Sequence, residues 1–294
     1  MTILVTGATG IIGRQVVRHL LDRGQKVRAL TRDPGRAVLP DGAEVAACDL
    51  TDAAGLEEAF DGVAAAHLIN FGGDHQPLAS GRDIVEAAER AGVGKVTVLA
   101  GWREGTLEPA VRASGLEWTF LEPVQFMANF LTDWGQALRS TGRVREPYGD
   151  RKSPPIDEYD IGAVAATVLT QDGHHGRSYH LTGPEVLTAR GMVAIIGQVT
   201  RRDLRFEELT PDQVRREWSV PGGMPSLSLF RAFSQAAGVG DADLVEILLQ
   251  MYGTPNEYGT ALTDQVEQVI GRPPRTFAQW AAEHADHFRP AAAA

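Results

Sequence analysis

Two periods of apolar residues alternate along the first half of the chain. Short β-rich runs at residues 2–5, 26–30, 43–47, 65–69, 96–99 and 118–121 predict six strands. Stretches of helical period separate them. The first follows residues 7–13 and runs to about residue 23, with Val16, Val17, Leu20 and Leu21 on one face and Gly24 as its stop. Thr51 or Asp52 suits the cap of a short helix ending near Phe60. A longer helix is predicted from about residue 76 to residue 91, with Ile84, Val85, Ala88 and Ala91 on one side. Residues 109–114 fall in the next.

Strands separated by helical runs at this spacing mean βαβ units and a parallel sheet. Right-handed crossovers put helices on both faces, which gives a doubly wound α/β sheet. Ligands of such sheets bind at the carboxyl ends of the strands. The loops after residues 5, 30, 47, 69, 99 and 121 are therefore where a site is expected. The second half is less regular. It offers helices at 160–170 and 188–199, a late strand at 178–181, and a mostly helical stretch over 210–287. These late helices exceed what the sheet needs and are expected to form a small cap over the strand ends. The expected division is 1–150 for the sheet domain and 151–290 for the cap region, interleaved through the late strand.

Composition acts mainly by exclusion. At 294 residues and 43% hydrophobic, the chain has material for about two domains and a core that needs no covalent staple. Its single cysteine, Cys48, allows no internal disulfide and no thiolate-based zinc site. Glu283, His284 and His287 have a helical spacing suggestive of a metal face, but no further ligand is evident, so no metal is expected. A formal net charge of −10 argues against general affinity for nucleic acid. No apolar stretch reaches the roughly 20 residues that span a bilayer, and no targeting signal is visible. The expectation is a cytoplasmic protein with a small-molecule substrate and no direct nucleic-acid or membrane partner. Helices of such folds often pair, so a homodimer is possible.

The most informative motif is Val5-Thr6-Gly7-Ala8-Thr9-Gly10-Ile11-Ile12-Gly13-Arg14, between the first strand and the first helix. The first glycine allows a tight turn, the second lets backbone approach a pyrophosphate, and the third lets helix pack on strand. Free N–H groups and the helix dipole favour a phosphate there. Thr6, Gly7, Thr9, Gly10, Ile11, Ile12, Gly13 and Arg14 are therefore expected to bind a dinucleotide. The second strand ends in Thr31-Arg32-Asp33-Pro34. A guanidinium at that place can pair with a 2′-phosphate, so Arg32 favours NADP(H) over NAD(H), with NAD(H) still possible.

The spacing TGATGxxG resembles the extended and atypical branches of the short-chain dehydrogenase/reductase superfamily. Three further segments narrow the resemblance. Ser114-Gly115-Leu116-Glu117-Trp118-Thr119-Phe120-Leu121-Glu122-Pro123, continuing to Phe126-Met127-Ala128-Asn129, is one. Asp160-Ile161-Gly162-Ala163-Val164-Ala165-Ala166 and Tyr179-His180-Leu181-Thr182-Gly183-Pro184-Glu185 are the others. Together they are similar to the NmrA-like atypical reductases. The resemblance implies a Rossmann-type sheet, an NAD(P)H cofactor and, in quinone-reductase-like members, hydride transfer to a quinone or other aromatic carbonyl or enone. It also places Asp49 and Leu50 against the adenine. Asn70, Phe71 and Gly72, then Ala100 and Gly101, then Pro123, Val124 and Gln125 fall on the ribose and nicotinamide half. Phe71, Trp102, Phe126 and Trp134 are aromatics near predicted strand ends; Trp102, Phe126, Asn129 and Trp134 are expected on the substrate side.

The chain departs from the superfamily where a proton donor belongs. The fifth strand ends Leu99-Ala100-Gly101 without a serine, and residues 102–109 hold neither the tyrosine nor the lysine of a Tyr-x-x-x-Lys helix. The position four residues before Glu108, where relatives keep Lys or His, is Glu104. Burial under a cap is expected to raise its pKa and make it the acid. Because family and chemistry are separable, two other readings stand beside the reductase. One is an NADP(H)-sensing regulator without turnover. The other is a non-redox isomerase, cyclase or lyase on the same fold.

Overall fold

The structure is a computed structural model. It describes all residues except 53–54, 73–75, 102, 221, 226, 228–239, 255–256 and 291–294. In chain order the elements are β1 (Thr2–Val5), α1 (Ile11–Asp22), β2 (Lys26–Thr31), β3 (Glu44–Ala47), α2 (Leu56–Phe60) and β4 (Val63–Ile69). There follow α3 (Gly81–Arg90), β5 (Lys95–Leu99), α4 (Leu107–Ala113), β6 (Glu117–Pro123), α5 (Asn129–Asp133), α6 (Gly135–Ser140), β7 (Arg143–Glu146) and β8 (Lys152–Ser153). The chain continues through α7 (Glu158–Thr170), β9 (Arg177–Leu181), β10 (Leu187–Thr188), α8 (Ala189–Thr200), β11 (Arg205–Glu208) and α9 (Pro211–Trp218). Helices at Asp241–Gly253, Glu257–Thr260, Gln265–Ile270 and Phe277–Glu283 close it. None of the described helices is long and apolar enough to cross a membrane.

Seven strands form one parallel sheet in the order β3-β2-β1-β4-β5-β6-β9. This is the doubly wound Rossmann-type arrangement, with its change of direction between β1 and β4. The crevice at such a switch point receives the ligand. Ile3, Leu4 and Val5 are fully buried because both faces of the sheet are covered.

The chain divides into two compact units. The first comprises residues 1–123, 158–181 and 265–272, the second residues 124–157, 182–264 and 273–294. This division is finer than one cut near residue 150, because α7, β9 and the helix Gln265–Ile270 return to the sheet unit. In the first unit, Leu56, Phe60, Ile84, Val85, Leu107 and Val111 pack with Leu4, Leu68, Val96 and Val98 into one core. On α7, Gly162 admits α1 at close range: a Cβ there would lie 2.8 Å from the Gln15 carbonyl carbon. Asp160 of α7 is fully buried and accepts from the Arg272 guanidinium at 2.7 Å. Tyr159 packs edge-on against His19, with Arg18 and Arg272 over its ring.

The second unit has its own core of Phe130, Trp134, Leu138, Met192, Val193, Ile196, Phe277, Trp280 and Phe288. Thr210 and Thr276 each cap a helix through a reciprocal capping box. This unit is less purely helical than expected. It contains the parallel pair β7–β11 and the antiparallel pair β8–β10. These strands are two to four residues long and largely polar, so they carry no clear apolar period.

Two helix starts also differ from expectation. α2 begins at Leu56 behind Gly55 in the left-handed region, not at a Thr51 or Asp52 cap. Thr51 is occupied instead: its N–H and hydroxyl both donate to Asp49 Oδ1. α3 begins at Gly81 rather than near residue 76, because Phe71 and Pro77 pair in an antiparallel bridge that uses up the preceding chain.

Candidate cofactor site

The glycine loop joins β1 to α1 at the switch point. Gly7 adopts φ +59°, a conformation that L side chains rarely take, and a Cβ there would sit 2.9 Å from Ile69 Cδ1. The Gly7 carbonyl accepts from Gly10 N–H at 2.9 Å and closes the turn. Gly13 is packed so closely that a Cβ would run into the Gly7 carbonyl oxygen and Ala8 Cα. No side chain caps α1, and its first turn contains no acidic residue. The N–H groups at its start are thus left for an anion, with the dipole adding to the attraction. Thr9, Gly10, Ile11 and Arg14 are exposed along this rim, whereas Ile12 is buried. Thr6 is placed otherwise than expected. Its side chain is fully buried and clamps β1 to β4, donating to the His67 carbonyl at 3.0 Å and accepting from Ile69 N–H at 2.9 Å.

At the outer edge, Arg32 is exposed one residue beyond β2. β2 and β3 run in register from Arg28↔Glu44 to Thr31↔Ala47, which carries Asp49 past the end of the neighbouring strand. The Thr51 N–H and hydroxyl hold the Asp49 carboxyl below the usual range, and Arg32 adds a weaker attraction. Leu50 is half-buried against the core, and its carbonyl accepts from the Ser80 hydroxyl.

On the inner side, Asn70 and Phe71 follow β4 and Ala100 and Gly101 follow β5. Asn70 is buried; its Nδ2 donates to the Arg103 carbonyl at 3.1 Å and to the Glu108 carboxylate. Its Oδ1 is buried without a hydrogen-bond partner. Gly72 N–H donates to the Gln76 carbonyl at 2.9 Å, and Phe71 is bridged to Pro77. The Ala100 N–H extends the sheet to the Leu121 carbonyl at 2.9 Å. Pro123 ends β6, half-buried.

The glycine cradle, the uncapped helix start, an arginine beyond β2 and an orphaned buried carbonyl beyond β4 match the donors and acceptors of a nicotinamide dinucleotide. Comparison with known proteins agrees. Residues 1–98 match the model of the NmrA-like family. A Streptomyces griseus protein, (4-alkanoyl-5-oxo-2,5-dihydrofuran-3-yl)methyl phosphate reductase, is 37% identical over 98% of this chain and 99% of its own. The chain belongs to the NmrA-like family. A second relative, the NAD(P)H azoreductase of Xenophilus azovorans, is 31% identical over 97% of this chain and 99% of its own. Among solved structures, the triphenylmethane reductase of Citrobacter sp. aligns with a TM-score of 0.75 at 22% identity, covering 97% of this chain and 99% of that one. At that identity it speaks for the shared fold alone.

Two residues expected to act in this NmrA-like site, Glu104 and Trp134, are placed differently. Glu104 is not a buried acid. Its side chain is 61% exposed and lies back along α4 to pair with Arg112. The hydrogen bond from Arg112 holds its carboxyl below the usual range, opposite to the rise expected from burial. Trp134 is not on a substrate surface. It is 1% exposed in the core of the second unit, with Nε1 donating to Glu146 at 2.7 Å. Val124, Gln125, Phe126 and Asn129 belong to the second unit and are half-buried. There the Gln125 carbonyl accepts from Ile156 N–H at 3.0 Å, its Oε1 from the Ser153 hydroxyl at 3.3 Å, and Phe126 is bridged to Ile156. Trp102 lies outside the described residues. Among the described residues, no group of His, Cys, Asp and Glu is placed to hold a metal ion.

Sequence reasoning passed over Glu108. It is 2% exposed, and its Oε2 accepts from Gly105 N–H at 2.9 Å. A first-turn glutamate reads as an ordinary partner of the helix dipole. Its partner Asn70 lies 38 residues earlier, so no local signal marks the pair.

Proposed function

We propose that this protein reduces a small conjugated acceptor, a quinone or an aromatic carbonyl or enone, with NADPH preferred over NADH. The protein is an NAD(P)H-dependent oxidoreductase of the NmrA-like type. The observation that carries this reading is the cradle of Gly7, Gly10 and Gly13, in which Gly7 takes a positive φ and Gly13 leaves no room for a Cβ. The relatives support the redox class. One is named for reducing an alkanoyl- and oxo-substituted unsaturated furan phosphate, the other for reducing azo compounds with NAD(P)H.

A nicotinamide cofactor bound here supplies a hydride. In this reading Gly7 to Gly13 backbone and the start of α1 hold the pyrophosphate. Arg32 pairs with a 2′-phosphate through charge-assisted hydrogen bonds, which sets the preference for NADPH. Asp49 and Leu50 take the adenine, and Asn70 Oδ1 accepts from a cofactor donor. With Glu104 exposed and bound to Arg112, its carboxyl is a poor acid. Conjugated acceptors suit such a site, because the anion left by hydride addition is delocalised and takes its proton from water.

The test is consumption of NADPH and NADH by purified protein against quinones, aromatic enones and an azo dye. Turnover favouring NADPH is expected. Tight NADPH binding without turnover of any acceptor overturns the reductase reading in favour of an NADP(H)-sensing regulator.

A further inference from the structure

We propose that Asn70 and Glu108 are a positioning pair that fixes the loop after β5 beside the reacting end of the cofactor, an inference that rests on the reductase reading above. Gly101, Arg103, Gly105 and Glu108, from the loop after β5, gather around a single amide. Asn70 Nδ2 spends its two hydrogens on the Glu108 carboxylate and the Arg103 carbonyl. The other carboxylate oxygen of Glu108 accepts from Gly105 N–H at 2.9 Å. On the opposite side of the amide, a Cβ on Gly101 would stand 2.7 Å from Asn70 Oδ1, so the loop starts in contact with it.

A second set of bonds ties the same segments. Leu78 N–H donates to the Asn70 carbonyl at 2.8 Å. The Thr106 hydroxyl donates to the Leu78 carbonyl at 2.6 Å and accepts from Gly81 N–H at 2.9 Å. Gly105 is itself pressed on Pro77, where a Cβ would come within 2.8 Å of the proline ring. The chain after β4 and the chain after β5 are thus tied together at several described points.

Apolar contacts could join two loops without burying a carboxylate, which is costly unless its hydrogen bonds are made. What directed hydrogen bonds add is orientation. A reaction at the strand ends needs its walls held to fractions of an ångström. Arg112 on α4 attracts Glu108, Glu104 and Glu122, and the charged Arg103 contributes its carbonyl to the same network.

The test combines amide hydrogen exchange with kinetics on the full chain. In Asn70→Ala and Glu108→Gln, exchange at the Gly105 amide should accelerate, and kcat should fall roughly 10- to 100-fold. In Glu108→Gln the Kd for NADPH, read by fluorescence titration, should change less than about threefold, because the glycine cradle, Arg32 and Asn70 are untouched. Asn70→Asp sets two carboxylates together, so one must carry a proton before the link can form. That variant should recover kcat as pH falls, a limb absent from the wild type. The double variant Asn70→Asp/Glu108→Gln restores a donor facing an acceptor and should recover kcat at neutral pH.

Unchanged Gly105 exchange in both single variants overturns the proposal, with or without turnover. Faster exchange at unchanged kcat overturns the positioning role. Should the single variants fail to fold, the double swap decides, because failure to recover kcat without an acid limb counts against the pair. If the wild type turns over no acceptor, the reductase reading has failed and the positioning role goes with it. Exchange then tells separately whether the clamp exists.

Discussion

Replacing Glu104 by glutamine removes a carboxylate that Arg112 holds below its ordinary range at an exposed position. An exposed pair of this kind is worth at most about 1 kcal/mol. We expect Glu104→Gln to leave kcat within about twofold of wild type and the unfolding midpoint nearly unmoved. A loss of more than tenfold in kcat would restore Glu104 as the acid. Arg32 is a different case, because its partner is on the ligand. Arg32→Ala should raise KM for NADPH by about tenfold or more, the size of one charge-assisted contact, and leave KM for NADH unchanged. Equal effects on both cofactors would remove the 2′-phosphate role. At this scale the sequence is legible where chemistry is backbone-driven. The glycines announce their loop because Gly7 needs a positive φ and Gly13 has no room for a side chain. Glu104 is misleading because its partner Arg112 lies eight residues on, inside α4, where no local spacing marks the pair. Glu108 stayed hidden because its partners come from a different loop.

The elements themselves were read from burial. β1, β4, β5 and β6 are apolar runs because helices cover both faces of the sheet, and such runs stand out in any sequence. β7, β8, β10 and β11 pair two by two away from that sheet, and their alternation is too short to register. α3 starts later than the apolar period suggests because Phe71 and Pro77 pair in a short bridge that no periodicity announces. The junction of β1 with α1 is the element contact with least tolerance. A methyl group on Gly13 would collide with the Gly7 carbonyl and Ala8 backbone, which no side-chain rotation relieves. Gly13→Ala should therefore abolish measurable NADPH binding and lower stability by roughly 1–3 kcal/mol, as overpacking does. Calorimetric titration and a denaturant midpoint read the two effects separately. Binding at wild-type affinity would show that the helix start can shift without loss of the cradle.

Over the whole molecule, the first unit carries a latent sensitivity to acid. His67 lies in the middle of the sheet, fully buried, with Nδ1 bonded to the Thr97 hydroxyl at 2.9 Å and Nε2 without a partner. Desolvation lowers its pKa to about 4. His19 on α1 is also lowered to about 4, by desolvation and then by Arg23. His174 is lowered as well, chiefly by burial. In the unfolded chain these rings titrate near 6.5. Above that pH neither state binds their protons, and they are silent. As pH falls from 6.5 toward 4, the unfolded state takes up protons that the folded state refuses, so stability falls. Each fully depressed histidine removes up to about 1.4 kcal/mol per pH unit, or about 3 kcal/mol across the window. The depressed carboxyls, Asp49 and Glu104 among them, lose their contribution only as pH falls below about 4, so the two effects occupy different ranges. Urea unfolding between pH 7.5 and 4.5, followed by amide exchange so that each unit is seen alone, should show the first unit weakening across this window. His19→Gln removes one such group where a polar side chain can still meet the Tyr159 carbonyl, which now lies 3.0 Å from His19 Nε2. It should flatten the first unit's slope against pH. An unaltered slope would mean that His19 takes up its proton as readily in the folded chain as in the unfolded one, against the burial that encloses it.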